Sequence, residues 1–110
     1  MSQPIRAIIL LLFTSCTQAN VANDILMNWS AEQKTLILSN IVNAAGEGCL
    51  PVSSFYQGMD TYNSAYWNLS CADGRSFVIQ IANDNQATTT IFPCAAMKSL
   101  GAECFKRFGY

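Results

Sequence analysis

Four cysteines constrain this chain more than any other feature of its sequence: Cys49, Cys71, Cys94 and Cys104. They lie in the C-terminal part of a short chain, and a domain of this size often needs covalent constraint because it buries a limited fraction of its surface. A zinc site with four thiolate ligands is the alternative, but such sites use cysteine pairs with C-x2–4-C spacing, which is missing here. The sequence therefore predicts two disulfides, and disulfides persist in an oxidising compartment.

Four cysteines allow three pairings, and their spacing alone does not decide among them. In an up-and-down meander, Cys49 at the start of the first strand lies near Cys71 at the end of the second. Cys94 and Cys104 can then close a small loop around Gly101, whereas a continuous helix would hold them about 15 Å apart, beyond the reach of a disulfide. We favour Cys49–Cys71 with Cys94–Cys104.

The N-terminal residues have the pattern of a secretory signal peptide. Arg6 supplies a positive charge, residues 7–13 are apolar, and Thr17 and Ala19 are small residues at the −3 and −1 positions of a cleavage site. Seven apolar residues are too few for a membrane span. We expect residues 1–19 to be removed, leaving one domain over residues 20–110 that is periplasmic or secreted; a buried N-terminal helix is the alternative.

Cys16 adds a second way of processing the leader. Residues 13–16 resemble a bacterial lipobox, in which the cysteine is lipidated and becomes the mature N-terminus, although Phe13 stands where Leu is usual. Lipidation of Cys16 would anchor the protein to a membrane, whereas cleavage after Ala19 would release it. Both alternatives remain open, and we prefer cleavage after Ala19.

A helix is predicted over residues 31–45. Ser30 and Gln33 form a capping box, in which each side chain bonds the backbone N–H of the other. An apolar face follows at helical spacing, and Gly46 suits the left-handed position after the last turn. The residues of that face are Leu36, Ile37, Leu38, Ile41, Val42 and Ala45. Residues 20–28, before this helix, show no clear period.

Strands are predicted after Cys49, where the apolar period changes to two. A first strand includes Leu50, Val52 and Tyr56, and Pro51 near its start favours an edge position. Alternation over residues 65–71 and 77–81 around an Asp-Gly turn predicts a hairpin. A three-residue loop, 72–74, pairs Cys71 with Arg75 and gathers the large apolar side chains on one face. The pairs expected there are Leu69 with Phe77, Trp67 with Ile79 and Ala65 with Ile81.

A fourth strand over residues 88–92 and a short helix over 95–100 complete the predicted order of elements. The fold class is α+β: an N-terminal helix packed on a four-stranded antiparallel meander, a short C-terminal helix, and two disulfides. Helices are expected to cover one face of the sheet.

Several function classes are excluded or weakened by what the sequence lacks. It contains no histidine, P-loop, G-x-G-x-x-G or C-x-x-C, and its formal net charge is −1 without a basic stripe. We therefore expect no metal, no cofactor, no nucleic-acid partner and no enzymatic activity. A small hydrolase that uses two carboxylates is the alternative. Its candidates are Glu47, Asp60, Asp73, Asp84 and Glu103.

A contact face for a protein partner is predicted on the side of the sheet away from the helix. Alternation along the strands predicts that Tyr66, Asn68 and Gln80 point outward, joined from the first strand by Tyr56 or Phe55. Tyrosines mixed with amides suit contact with another protein, although an ordinary hydrated sheet surface has a similar composition. The C-terminal aromatic and basic residues, 105–110, form a second candidate contact, or they pack their Phe rings and solvate Lys106 and Arg107.

Residues 65–79, with Cys94 and residues 104–106, resemble small uncharacterised exported proteins of proteobacteria. This likeness covers residues 49–108 and implies a compartment without an activity. The architecture also resembles that of PepSY-type domains, which are implicated in inhibiting or chaperoning secreted peptidases; the four cysteines depart from them, and no functional residue is transferred. The predicted function is an exported interaction module, an inhibitor or assembly factor of the bacterial envelope. An envelope lipoprotein anchored through Cys16 is a further alternative.

Overall fold

The computed structural model describes residues 20–108. The predicted signal peptide, including Cys16, lies outside this range, as do the last two residues. The elements are α1 (Val21–Met27), α2 (Ala31–Ala44), β1 (Pro51–Met59), β2 (Ala65–Cys71), β3 (Ser76–Ile81), β4 (Thr89–Pro93) and a 3-10 helix (Cys94–Leu100). The four strands pair antiparallel in the order β1-β2-β3-β4. The predicted α+β meander is confirmed.

The β2–β3 hairpin has the predicted register. Leu69 pairs with Phe77, Trp67 with Ile79 and Ala65 with Ile81. The Cys71 N–H donates to the Arg75 carbonyl at 2.8 Å across the loop 72–74. Gly74 has φ +92°, the left-handed conformation that closes this three-residue loop.

The longer helix, α2, is also where the sequence places it. The Ser30 hydroxyl accepts from the Gln33 N–H at 3.2 Å, and the Gln33 side chain accepts from the Ser30 N–H at 3.4 Å. The helix ends at Ala44 with Ala45 as its C-cap. Leu38 and Val42 are fully buried, but Leu36, predicted on the core face, is 54% exposed. The buried face is therefore narrower than the sequence indicates.

A first helix, α1, was missed in residues 20–28. Asn20 caps it by accepting from the Asn23 N–H at 3.1 Å. The Asn20 side chain also donates to the carbonyls of Asn63 and Ile81, both at 2.9 Å. This short helix is thus attached to the end of the hairpin by side-chain hydrogen bonds, which hydrophobic periodicity does not reveal.

The main core lies between these two helices and one face of the sheet. It is built mainly from Leu26 of α1, Leu38 and Val42 of α2, and the inward side chains of the hairpin. Those side chains are Ala65, Trp67, Leu69, Cys71, Phe77, Ile79 and Ile81. Their alternation along each strand explains why the predicted register was correct, since a slip of one residue would expose all of them.

The opposite face of the sheet, where a contact face for a partner was predicted, is covered in part by the C-terminal segment. Val78 is fully buried there. A cavity of about 290 Å³ on this side is lined by Val78 and Phe92 from the sheet and by Met97, Leu100 and Phe108 from the C-terminal segment, among others. Phe108 is 9% exposed, whereas Lys106 and Arg107 are exposed. The tail thus packs this Phe ring and leaves its basic side chains to solvent.

Both disulfides have the favoured pairing. Cys49–Cys71 joins the start of β1 to the end of β2, with Cα atoms 5.3 Å apart. Cys94–Cys104 joins the start of the 3-10 helix to the tail, with Cα atoms 5.9 Å apart, and Gly101 breaks the helix between them with φ +75°. Such cross-links are consistent with an oxidising compartment. Among residues 20–108, none of the helices has both the length and the apolarity needed to cross a membrane.

Candidate functional site

An apolar groove lies between the two helices and the β4 side of the sheet. Its volume is about 360 Å³, within the range of small binding sites. Most of its lining side chains are aliphatic or aromatic. The lining consists of Ala22, Ile25, Leu26 and Trp29 on the α1 side, Ile37 and Ile41 from α2, and Ile81, Ala87 and Thr89 from the hairpin end and β4.

Large apolar side chains are also exposed around this groove. Val21 is 66% exposed, Ile25 54% and Trp29 41%. Leu36 of α2 lies beside Trp29, since both line one shallow depression. We call Val21, Ile25, Trp29 and Leu36 the apolar rim. A contiguous apolar surface of this kind is typical of a contact with another molecule.

A buried polar network holds α1, and therefore the groove wall, in place. The Asn23 amide oxygen accepts from the Trp67 indole N–H at 2.8 Å. Its amide nitrogen donates to the Tyr56 hydroxyl at 3.1 Å, and the Tyr56 and Trp67 rings are 4.7 Å apart. Because Asn23 and Trp67 are buried and their polar groups are satisfied here, these bonds fix the position of α1 on the sheet.

The free edge of β4 runs beside the groove. Its backbone pattern follows from one hydrogen bond, since the Ala82 N–H donates to the Thr88 carbonyl at 2.9 Å. Opposed residues of an antiparallel pair alternate between bonded and non-bonded positions, so Thr90 and Phe92 bond to β3. The N–H and C=O groups of Thr89 and Ile91 therefore point away from the sheet. Within residues 20–108, no strand lies beyond β4.

The predicted contact face is not assembled as expected. Tyr56 pairs with Trp67 in the sheet and packs on the helix-side core, so its ring points toward α1. A register shift between Pro51 and Ser53 adds one residue, Val52, before Tyr56 and moves Tyr56 to the opposite face from that predicted. Alternation counted from the first residues of β1 could not show this extra residue.

Asn68 is on the predicted face but is fully buried. Its amide oxygen accepts from the Gln57 side chain and from the Phe105 N–H, both at 2.8 Å. Gln57, the extra residue at the second register shift of β1, also accepts from the Phe108 N–H at 2.9 Å. In the described part of the chain, the Asn68 amide nitrogen has no hydrogen-bond partner. Asn68 therefore anchors the C-terminal segment and is not presented to solvent.

Tyr66 and Gln80 are half-buried on the same face and belong to a turn-stabilising group. The Tyr66 hydroxyl accepts from Gln80 at 3.0 Å and donates to the Asp60 carboxylate at 2.8 Å. Burial raises the pKa of Asp60, but hydrogen bonds from Tyr66 and from the N–H groups of Ser64 and Tyr62 outweigh it and hold that pKa below its ordinary value. An ionised carboxylate at this position stabilises the turn between β1 and β2.

The carboxylates considered for hydrolysis act within turns and ion pairs. Asp84 accepts from the N–H groups of Gln86 and Thr88 in its own turn. Glu47 and Asp73 both form ion pairs with Arg75, at 3.5 and 2.7 Å. Glu103 pairs with Lys106 at 3.0 Å. No cluster of three or more potential metal ligands exists among residues 20–108.

Comparison of the chain with protein-family models, with curated proteins and with solved structures finds no match. The candidate site consequently rests on geometry alone. Sequence reasoning missed its two components, the α1 wall and the outward backbone of β4. A signal for the first was present: Val21, Ala22, Ile25 and Leu26 after Asn20 have the spacing of one helix turn and a capping residue.

Proposed function

We propose that this chain is an exported, non-enzymatic interaction module that binds another protein through the groove between α1, α2 and β4. The observation that carries this proposal is the apolar rim. Ile25 and Trp29 are exposed while they line a concave surface. Val21 is exposed one turn before Ile25 on α1, and Leu36 is exposed beside Trp29. A partner that inserts an apolar segment there would remove this surface from water, which is the main driving force for association.

The compartment is part of the proposal. Two disulfides support an oxidising environment, and the pattern of residues 1–19 supports export to the periplasm or secretion. The intact mass of natively exported protein tests this proposal. It is supported by a mass that matches a chain starting at Asn20 and that lacks the four hydrogen atoms lost when two disulfides form. Retention of residues 1–19, or four free thiols, would contradict it. A mass beginning at a lipidated Cys16 would identify the envelope lipoprotein instead.

Partner binding is tested with a photo-crosslinking residue placed in the rim. We would introduce it at Ile25, and at Leu100 as a control, because Leu100 is equally apolar and 74% exposed but lies in the C-terminal segment. Irradiation of the exporting cells should give a discrete heavier product from position 25 only. Adding Trp29→Ser to the Ile25 variant should reduce that product. Equal products from both positions, or none from position 25, would refute binding through the groove.

An inhibitor or an assembly factor of the bacterial envelope would both use such a contact. The identity of the crosslinked protein separates them. An exported peptidase whose activity falls when it is mixed with the purified chain indicates inhibition, and an envelope subunit that fails to mature without the chain indicates assembly.

A further inference from the structure

We infer that a second copy of this chain adds to the free edge of β4, antiparallel and about a two-fold axis at Thr90, so that two sheets join into one. This goes beyond the partner binding proposed above, because it uses the outward backbone of β4 and a copy of the same chain. Either proposal can be refuted by experiment without refuting the other.

The outward backbone groups of β4 complement themselves in this arrangement. With the axis at Thr90, Thr89 of one copy lies opposite Ile91 of the other, and both residues carry outward N–H and C=O groups. Each Thr89–Ile91 pair exchanges two hydrogen bonds, which gives four across the axis. Thr90 then lies opposite Thr90 of the second copy, at a non-bonded position where the two side chains approach closely.

Neighbouring registers lose two of these four bonds. An axis at Ile91 pairs Ile91 with its own copy and places Thr89 opposite Pro93, which has no N–H to donate. The Pro93 carbonyl, at the N-cap of the 3-10 helix, accepts the first bond of that helix. An axis at Thr89 places Ile91 opposite Ala87, whose φ of +50° removes it from the extended conformation and whose N–H already bonds the Asp84 carbonyl. In the Thr90 register, Ala87 and Pro93 fall opposite each other just beyond the four bonds. The ladder is therefore limited to residues 89–91.

The side chains of β4 allow this strand to pair with the same strand of a second copy. Residues 88–93 carry no charged side chain, so two copies meet without like-charge repulsion. Thr88, Thr89 and Thr90 are exposed, and β-branched residues favour strand pairing. Edge strands commonly carry charges or inward lysines that prevent such pairing, and β4 has neither. The opposite edge, β1, contains two register shifts that disrupt its pairing surface.

The same axis extends the apolar groove. Ile91 packs toward the helix-side core, and Thr89 lines the groove. Since both point to that face, the second copy brings its own Thr89 and Ile91 alongside them. The groove of each copy would then open toward the two-fold axis.

Sedimentation of natively exported protein, from low-micromolar to millimolar concentration, tests the inference. We expect a monomer–dimer equilibrium in the wild type and a monomer for Thr90→Lys, which places two ammonium groups opposite each other at the axis. The matched control is Val52→Lys, on the exposed part of the opposite edge strand, which should dimerise like the wild type. A monomer at every concentration, or a dimer unaffected by Thr90→Lys, would overturn the inference.

Cysteine cross-linking tests the register itself. Thr90→Cys should form a disulfide-linked dimer on mild oxidation, because opposed non-bonded Cα atoms lie about 4.5 Å apart. Thr88→Cys should not, since the two copies of residue 88 are separated by four residue spacings, about 13 Å. Equal cross-linking at both positions would exclude the Thr90 axis.

The variant Thr90→Lys also separates this inference from the proposed function. It leaves the apolar rim intact, so a crosslink from Ile25 to another protein should persist in the monomeric variant. If the Thr89 and Ile91 amides become protected from exchange only when such a partner is added, the edge binds the partner and self-pairing is refuted.

Discussion

The amide oxygen of Asn23 in α1 accepts the indole N–H of Trp67 in β2 at 2.8 Å, entirely inside the protein. One asparagine thereby satisfies a buried polar group of the core and fixes the wall of the candidate groove. A helix of seven residues is too short to be stable by itself, so its position depends on such bonds and on Leu26.

Replacing Asn23 with Ala should therefore destabilise the protein strongly. The change leaves the Trp67 N–H buried without an acceptor, and a buried unsatisfied donor costs about 1–3 kcal/mol. Urea unfolding followed by circular dichroism measures the loss. The control is Asn28→Ala at the exposed end of the same helix, where we expect a change within about 0.5 kcal/mol. Equal losses would show that the network does not hold α1.

Replacing Gln57 of β1 should destabilise the protein more than replacing Gln80, which lies two strands away in β3. Gln57→Leu removes the bonds to Asn68 and Phe108 and frees the C-terminal segment, with an expected loss of about 2–3 kcal/mol. Gln80 bonds the half-buried Tyr66 hydroxyl, so Gln80→Leu should cost roughly 1 kcal/mol. Urea unfolding compares them, and hydrogen exchange at residues 105–108 should accelerate only in Gln57→Leu. An unchanged exchange rate there would refute the anchoring role.

The two disulfides should differ in cost when each pair is replaced by Ser. A chain-entropy argument gives about 3 kcal/mol for either loop, with the larger value for the longer one. Cys49 and Cys71 are also buried in the core, so hydroxyl groups placed there add a desolvation cost. Thermal unfolding should show the greater loss for the Cys49–Cys71 pair. The reverse order would contradict this account of the core.

Asp60 should make the stability of the protein depend on pH in the acidic range. Its folded pKa is lower than that of an unfolded Asp, so its stabilisation is complete above the unfolded value of about 4 and is lost as pH falls through the folded pKa. The melting temperature of the wild type should fall more steeply below about pH 4 than that of Asp60→Asn. Tyr66→Phe, which removes one donor to the carboxylate, should lie between them. Identical slopes in all three would exclude this carboxyl as a contributor.

The parts of the fold that could be predicted are those fixed by local chemistry. The capping box at Ser30 and the Asp-Gly loop before Arg75 specify their conformations within a few residues, and burial on one face then fixes the register of Trp67. The parts that were missed depend on contacts between distant residues. Asn20 bonds a carbonyl 61 positions away, and Phe105 bonds Asn68 across 37 positions.

The candidate site shows the same division. Tyr56 was placed on the wrong face because one extra residue near the start of β1, Val52, reverses the alternation beyond it. The apolar rim was missed because Leu36 has the spacing of a core residue but is 54% exposed. Whether a periodic apolar residue is buried depends on what packs against it, which a linear pattern does not contain.

Both disulfides lie in the part of the domain that follows the two helices. Within the described chain, each of them joins the sheet or the tail, and neither reaches residues 20–45. The two helices are therefore kept on the sheet by packing and by hydrogen bonds such as those of Asn20 and Asn23. Reduction of the cysteines would break none of the bonds that position the groove wall.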